Sequence, residues 1–166
     1  MKKYFTLFLA AIALISCTSD VKFSTPGFQA RKDNFIWKAD VAQGSIANGF
    51  FTIKAFLGSE SVTFTVPAPL SSVYKNNPLV YTLGITQNDP FNDSEATYST
   101  TLDGVILKYV TNTEVSNGQF VITSYDFGTK KLSGTFRFNA TYQGIDPLIA
   151  KNVNFQEGFI YEVPMF

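Results

Sequence analysis

The chain has 166 residues with 13 basic and 13 acidic side chains, no histidine and one cysteine. That composition excludes a Ser-His-Asp triad, histidine-based metal sites and an intrachain disulfide. It also supplies no basic surplus to neutralise phosphates, so nucleic acid is not expected as a partner.

Residues 1–16 begin with Lys2 and Lys3 and continue through an apolar run from Tyr4 to Ile15. This run is shorter than the ~20 residues a membrane-spanning helix needs, and its layout reads as a secretory signal peptide. Leu14-Ile15-Ser16-Cys17 resembles the bacterial lipobox. The resemblance implies cleavage before Cys17, acylation of its sulfur and attachment to the membrane through that lipid. The plainer alternative is an ordinary signal peptide. Thr18 after the cysteine resembles outer-membrane sorting more than inner-membrane retention, and the side of the membrane stays open. Without Lys2 and Lys3 the mature chain keeps 11 basic and 13 acidic residues.

Residues 17–27 carry the lipidated cysteine and a tether, whose ten steps reach at most ~35 Å. Residues 28–166 read as one antiparallel β domain. Apolar residues alternate in period two through Phe35, Trp37, Ala39 and Val41; Phe51, Ile53, Ala55 and Leu57; and Val62, Phe64 and Val66. Residues 67–77 leave room for one helical turn. Leu79, Tyr81 and Leu83, then Val105, Leu107 and Tyr109, then Phe120 and Ile122 continue the alternation. The clearest strand is 131–142, with Leu132, Phe136, Phe138, Ala140 and Tyr142 facing one way. Val153, Phe155, Phe159, Tyr161 and Val163 form the last apolar row. Turn signals at Asn48-Gly49, Gly58-Ser59, Asn76-Asn77-Pro78, Asp103-Gly104, Ser116-Asn117-Gly118, Gly128-Thr129 and Asp146-Pro147 separate the runs. One buried and one solvated face per strand predicts about eight to ten antiparallel strands, closed as a barrel or stacked as a sandwich. The 17 phenylalanines outnumber Tyr and Trp together and favour a packed interior.

Phe35-Ile36-Trp37-Lys38-Ala39, Tyr125-Asp126-Phe127, Leu132-Ser133-Gly134-Thr135-Phe136-Arg137-Phe138 and Gly158-Phe159 recur in that order in one family. In these runs the chain resembles the small envelope lipoproteins of Bacteroidota that carry a domain of unknown function. The resemblance implies an all-β envelope lipoprotein and transfers no catalytic residue.

Few groups suggest chemistry. Asp89, Asp93 and Glu95 lie in an oxygen-rich stretch with a weak claim on calcium; the other reading is a solvated hairpin loop. Glu157, Glu162, Asp126 and Asp146 form no recognisable acid–base pair, and each reads as a wet-face or turn residue. Arg137 lies on the polar face of strand 131–142. Trp37 reads as a core plug or a ligand-stacking ring. Phe50 and Phe56, with Val121 and Tyr125, fall on nominally polar faces and become candidate partner or ligand contacts. The leading expectation is a non-enzymatic, cofactor-free, lipid-anchored binding module at the outer membrane, directed at another envelope protein. A barrel carrying a small apolar ligand is the alternative. A glycan-binding or carbohydrate-active protein is the weaker one.

Overall fold

The computed structural model describes residues 27–68, 78–84, 94–111 and 118–166. The segment expected to be a signal peptide, Cys17 and the expected tether up to residue 26 lie outside the described residues. So do 69–77, where one helical turn was expected, Asp89 and Asp93, and the Ser116-Asn117 turn.

The described residues form eleven strands and no helix: β1 Gly27–Lys32, β2 Phe35–Lys38, β3 Val41–Ala47, β4 Phe50–Leu57, β5 Glu60–Pro67, β6 Leu79–Leu83, β7 Glu95–Leu102, β8 Val105–Val110, β9 Gly118–Asp126, β10 Lys131–Tyr142 and β11 Asn152–Pro164. The expected count of eight to ten falls short because β1, β7 and the break between β2 and β3 were not anticipated. All strand pairs are antiparallel, in the order β2-β1-β11-β10-β8-β7-β5-β4-β3, with β9 beside β10 and β6 beside β9. The sheet curls into a half-barrel. Its far edge is tied back by an isolated parallel bridge between Gly44 of β3 and Met165. Gly44 leaves room for the Met165 side chain there, since a Cβ would sit 2.1 Å from its sulfur and make it shift.

Short turns set the hairpins. Asp33 and Asn34 both have positive φ (49° and 72°), the conformation of a two-residue turn that follows strand twist. Asn48-Gly49 and Asp103-Gly104 do the same with φ of 51° and 79°, and 50° and 80°.

The inward faces meet in one aromatic core. Phe64 of β5 packs on Phe120, Phe136 and Phe138, with ring centroids 4.8, 4.9 and 5.5 Å away. Phe138 stacks on Phe155 at 4.7 Å, and Phe28 packs on Phe136 at 4.9 Å. β10 follows the alternation without interruption: Leu132, Phe136, Phe138 and Ala140 are buried. Burying each of Leu132, Phe136 and Phe138 contributes roughly 1.5–3 kcal/mol.

The two strands flanking β10 do not keep step. Ser133 pairs with Ser124 and Gly134 with Ile122, so β9 carries one extra residue at Thr123. β11 carries two: Phe136 pairs with Gly158 but Phe138 with Phe155, and Leu132 pairs with Val163 but Gly134 with Ile160. Glu157 and Glu162, one in each slip, have φ of 50° and 49°. Each bulge switches the face that looks inward. The inward row of β11 is therefore Val153, Phe155, Gly158, Ile160 and Val163, and Phe159 and Tyr161 look outward, contrary to the even alternation expected. The same slip in β9 turns Tyr125 into the core against Phe51, at 5.0 Å.

Two further expectations change. Phe35 and Val41 were placed on the buried face with Trp37, yet both are exposed. Phe35 stands beside the hairpin tip, beyond the end of the core. The break at Ala39-Asp40, where Ala39 N–H donates to Phe28 and Asp40 N–H to Phe56, ends the alternation before Val41.

Candidate functional site

The sheet delivers three turns to one end of the half-barrel. Asp33 N–H donates to the Asn154 carbonyl, fixing the β1–β2 tip beside the start of β11. Tyr142 N–H donates to Lys151 and Gln143 N–H to Lys108, placing the 143–151 loop beside β8. The β7–β8 turn at Asp103-Gly104 extends from that same end, since β8 runs antiparallel to β10.

Just inside this end lies a half-buried polar cluster. Lys32, on the inward register of β1 with Phe28 and Ala30, donates to both Glu60 carboxylate oxygens at 2.8 and 2.7 Å. It also donates to the Tyr98 hydroxyl at 2.8 Å. Trp37 Nε1 donates to Glu60 Oε2 at 2.6 Å, while its ring is only 2% exposed. Burial pulls the Lys32 ammonium pKa down, but the bonds to Glu60 and Tyr98 outweigh it and leave the pKa above the usual lysine value. Burial pushes the Tyr98 phenol up, opposed only in part by Lys32. The cluster joins β1, β2, β5 and β7 where the aromatic core ends. Tyr98, Tyr109 and Tyr142 continue it as a row of rings 5.6 and 5.4 Å apart.

Around this plug the tips are apolar and exposed. Phe35 and Ile36 are 77% exposed, Ile106 72% and Leu148 91%, and Leu102, Val105 and Ile145 are exposed as well. Phe56 and Val41, cross-strand partners near the same end, add to this rim from the outer face of β4 and β3. The opposite end holds Gly27, paired with Tyr161, and the turn from Asp126 to Lys130. There Asp126 accepts from the Gly128 and Thr129 N–H groups at 2.7 and 3.1 Å. Hydrogen bonds from Thr129 and Gly128 keep the Asp126 carboxyl below the usual range.

A second feature runs along the outward face of β10. Clefts of about 750, 330 and 740 Å³ follow one another from Lys131 to Asn139, between β9 and β11. The first and second share Phe159; the second and third share Gln119, Arg137 and Glu157. The bulges explain the groove, because β9 and β11 bend at their extra residues while β10 stays regular.

The five contact candidates are scattered by the fold. Val121 lines the groove and Phe56 lies on the rim. Trp37 sits beneath the rim in the plug, Tyr125 is core, and Phe50 is half-buried at the opposite end beside Pro67. Glu95 opens β7 and accepts from the Thr97 hydroxyl at 2.9 Å. Among the described residues no group of three or more acidic, cysteine or histidine side chains is placed to hold a metal. Glu157 and Glu162 occupy bulges, Glu162 bonded to Lys131 at 2.8 Å, and Asp146 accepts from the Leu148 N–H in its loop. Lys32, Glu60 and Tyr98 were missed. The signal for Lys32 was its place in the alternation of Phe28 and Ala30. The rim had a signal too: Leu102, Val105, Ile145 and Leu148 directly flank turn residues, and Ile106 follows Val105.

These features define a curled, all-antiparallel β domain with an apolar-tipped end and a grooved outer face. The chain belongs to the family described as a domain of unknown function (DUF6252), whose model matches residues 24–164. No curated protein matches it, and no solved structure does.

Proposed function

We propose that this protein is a non-enzymatic, lipid-anchored binding module of the cell envelope that engages another envelope protein through its apolar-tipped end. The observation that carries this reading is the convergence of seven exposed apolar residues on three separate turns at one end: Phe35, Ile36, Leu102, Val105, Ile106, Ile145 and Leu148. Turns normally carry polar residues, and exposed apolar clusters mark interaction surfaces. The plug beneath supports the same reading, since Lys32, Glu60 and Trp37 hold the β1–β2 and β4–β5 hairpins in fixed relation.

The anchor fits this orientation. Cys17 lies ten residues before Gly27, a reach of at most ~35 Å. Gly27 is at the end opposite the rim, and the twelve residues of β10 between the ends span roughly 40 Å. A lipid on Cys17 would thus join the chain at the end opposite the rim. The Phe-rich inward positions that motivated the carrier alternative are taken up by ring-on-ring packing.

The test is photo-crosslinking in membranes from residues 106 and 145, with a site on the opposite end as control, followed by identification of the adducts. A discrete protein adduct from the rim sites, reduced by Ile106→Asp, is expected. A strictly monomeric protein without rim adducts would reject the reading. Cys17→Ser tests the anchor separately: lipid labelling is lost and the protein leaves the membrane fraction.

A further inference from the structure

We infer that the groove along the outward face of β10 is a binding site for an elongated, neutral, hydroxyl-rich chain, that is, an oligosaccharide. The inference is independent of the rim, which lies on another surface. Three properties of the groove select this ligand.

The first is its length. The clefts run along the nine residues from Lys131 to Asn139, roughly 30 Å at strand spacing, so they suit a chain more than a compact molecule.

The second is the charge of the lining. Lys131 is bonded to Glu162, and Asp126 is occupied by turn N–H groups. Arg137 and Glu157 complete the charged lining, leaving no cationic surplus for a phosphate or sulfate polymer.

The third is the chemistry of its floor and walls. Thr135, Arg137, Gln119 and Gln156 point from the outer face, and within the described residues none makes a side-chain hydrogen bond or ion pair. Hydroxyl, amide and guanidinium groups offer donors and acceptors in fixed planes, which suits vicinal hydroxyls. Phe159 and Tyr161, turned outward by the two bulges, line one wall, and Tyr161 is 38% exposed. Such rings take the C–H face of a pyranose.

An extended peptide fits less well. It brings its own backbone N–H and C=O groups, which peptide-binding sheets satisfy at a free edge. The floor here is the face of a ladder whose strands already pair on both sides, β9 with β6 and β10, and β11 with β10 and β1.

The test is calorimetry on the folded, soluble Cys17→Ser protein with neutral gluco-, manno-, xylo- and galacto-oligosaccharides of increasing length. Anionic glycans and an unstructured peptide serve as comparison arms. Binding to at least one neutral series, tightening with chain length, is expected. Arg137→Ala and Tyr161→Ala should each weaken it by about tenfold or more, the scale of one lost stacking or charge-assisted contact. Ile106→Asp should leave it unchanged, which separates this site from the rim. Circular dichroism of each variant checks the fold. The inference is overturned if no neutral oligosaccharide binds at millimolar concentration, if binding is indifferent to both groove variants, or if the peptide or anionic arm is preferred.

Discussion

Glu60 is the acceptor on which the plug depends, and its removal gives a quantitative test. Its carboxylate takes two bonds from Lys32 and one from Trp37. In Glu60→Ala the Trp37 N–H, on a ring 2% exposed, loses its partner; an unsatisfied buried donor costs about 1–3 kcal/mol. The Lys32–Glu60 side chains are 22% and 25% exposed, so solvent screens the pair and its loss adds at most about 1 kcal/mol. The expected total is about 1–4 kcal/mol, a sizeable part of a typical domain's stability. For a domain of this size that lowers Tm by roughly 3–12 °C. Glu60→Gln keeps an acceptor oxygen but loses the charge, and should cost about half as much. Denaturant titration monitored by Trp37 fluorescence measures both. A Lys32→Met/Glu60→Ala double-mutant cycle isolates the ionic part, with a coupling near 1 kcal/mol expected. A Glu60→Ala loss below about 0.5 kcal/mol would refute the reasoning.

The same cluster sets a pH dependence. Lys32 and Tyr98 both have folded-state pKa values raised above their unfolded ones, so both hold protons more tightly when folded. Their contribution is full below about pH 10 and declines as pH rises through the folded values. Stability measured from pH 8 to 11 should fall at the alkaline end, less steeply in Tyr98→Phe. Gly134→Ala should destabilise by about 2 kcal/mol or more in a thermal melt, because its Cβ would stand 2.3 Å from the fixed carbonyl oxygen of Val121. Glu157→Gly should instead stabilise by about 0.5 kcal/mol: it relieves a φ of 50° at a modest entropic cost. The exposed Arg31 contact it loses, at 3.8 Å, contributes little.

The all-β class was legible because strand alternation is local. β10 carries it over twelve residues without a slip, and its inward row was readable before any partner strand was known. The turns were legible for the same reason: Asn48-Gly49 and Asp103-Gly104 supply the positive φ their hairpins need. The wrong faces in β9 and β11 came from bulges. Nothing in Thr123, Glu157 or Glu162 announces an extra residue, because a bulge is defined by the neighbouring strand's register.

The sequence by itself determined the β class, most of the strands and the apolar content of the core, since backbone sterics and side-chain period act within a few residues. The tertiary structure alone decided that three distant turns share one end, that Lys32 meets Glu60 across 28 residues, and that the outer face of β10 is grooved. Those outcomes depend on curl and register, which arise from many strands packing together.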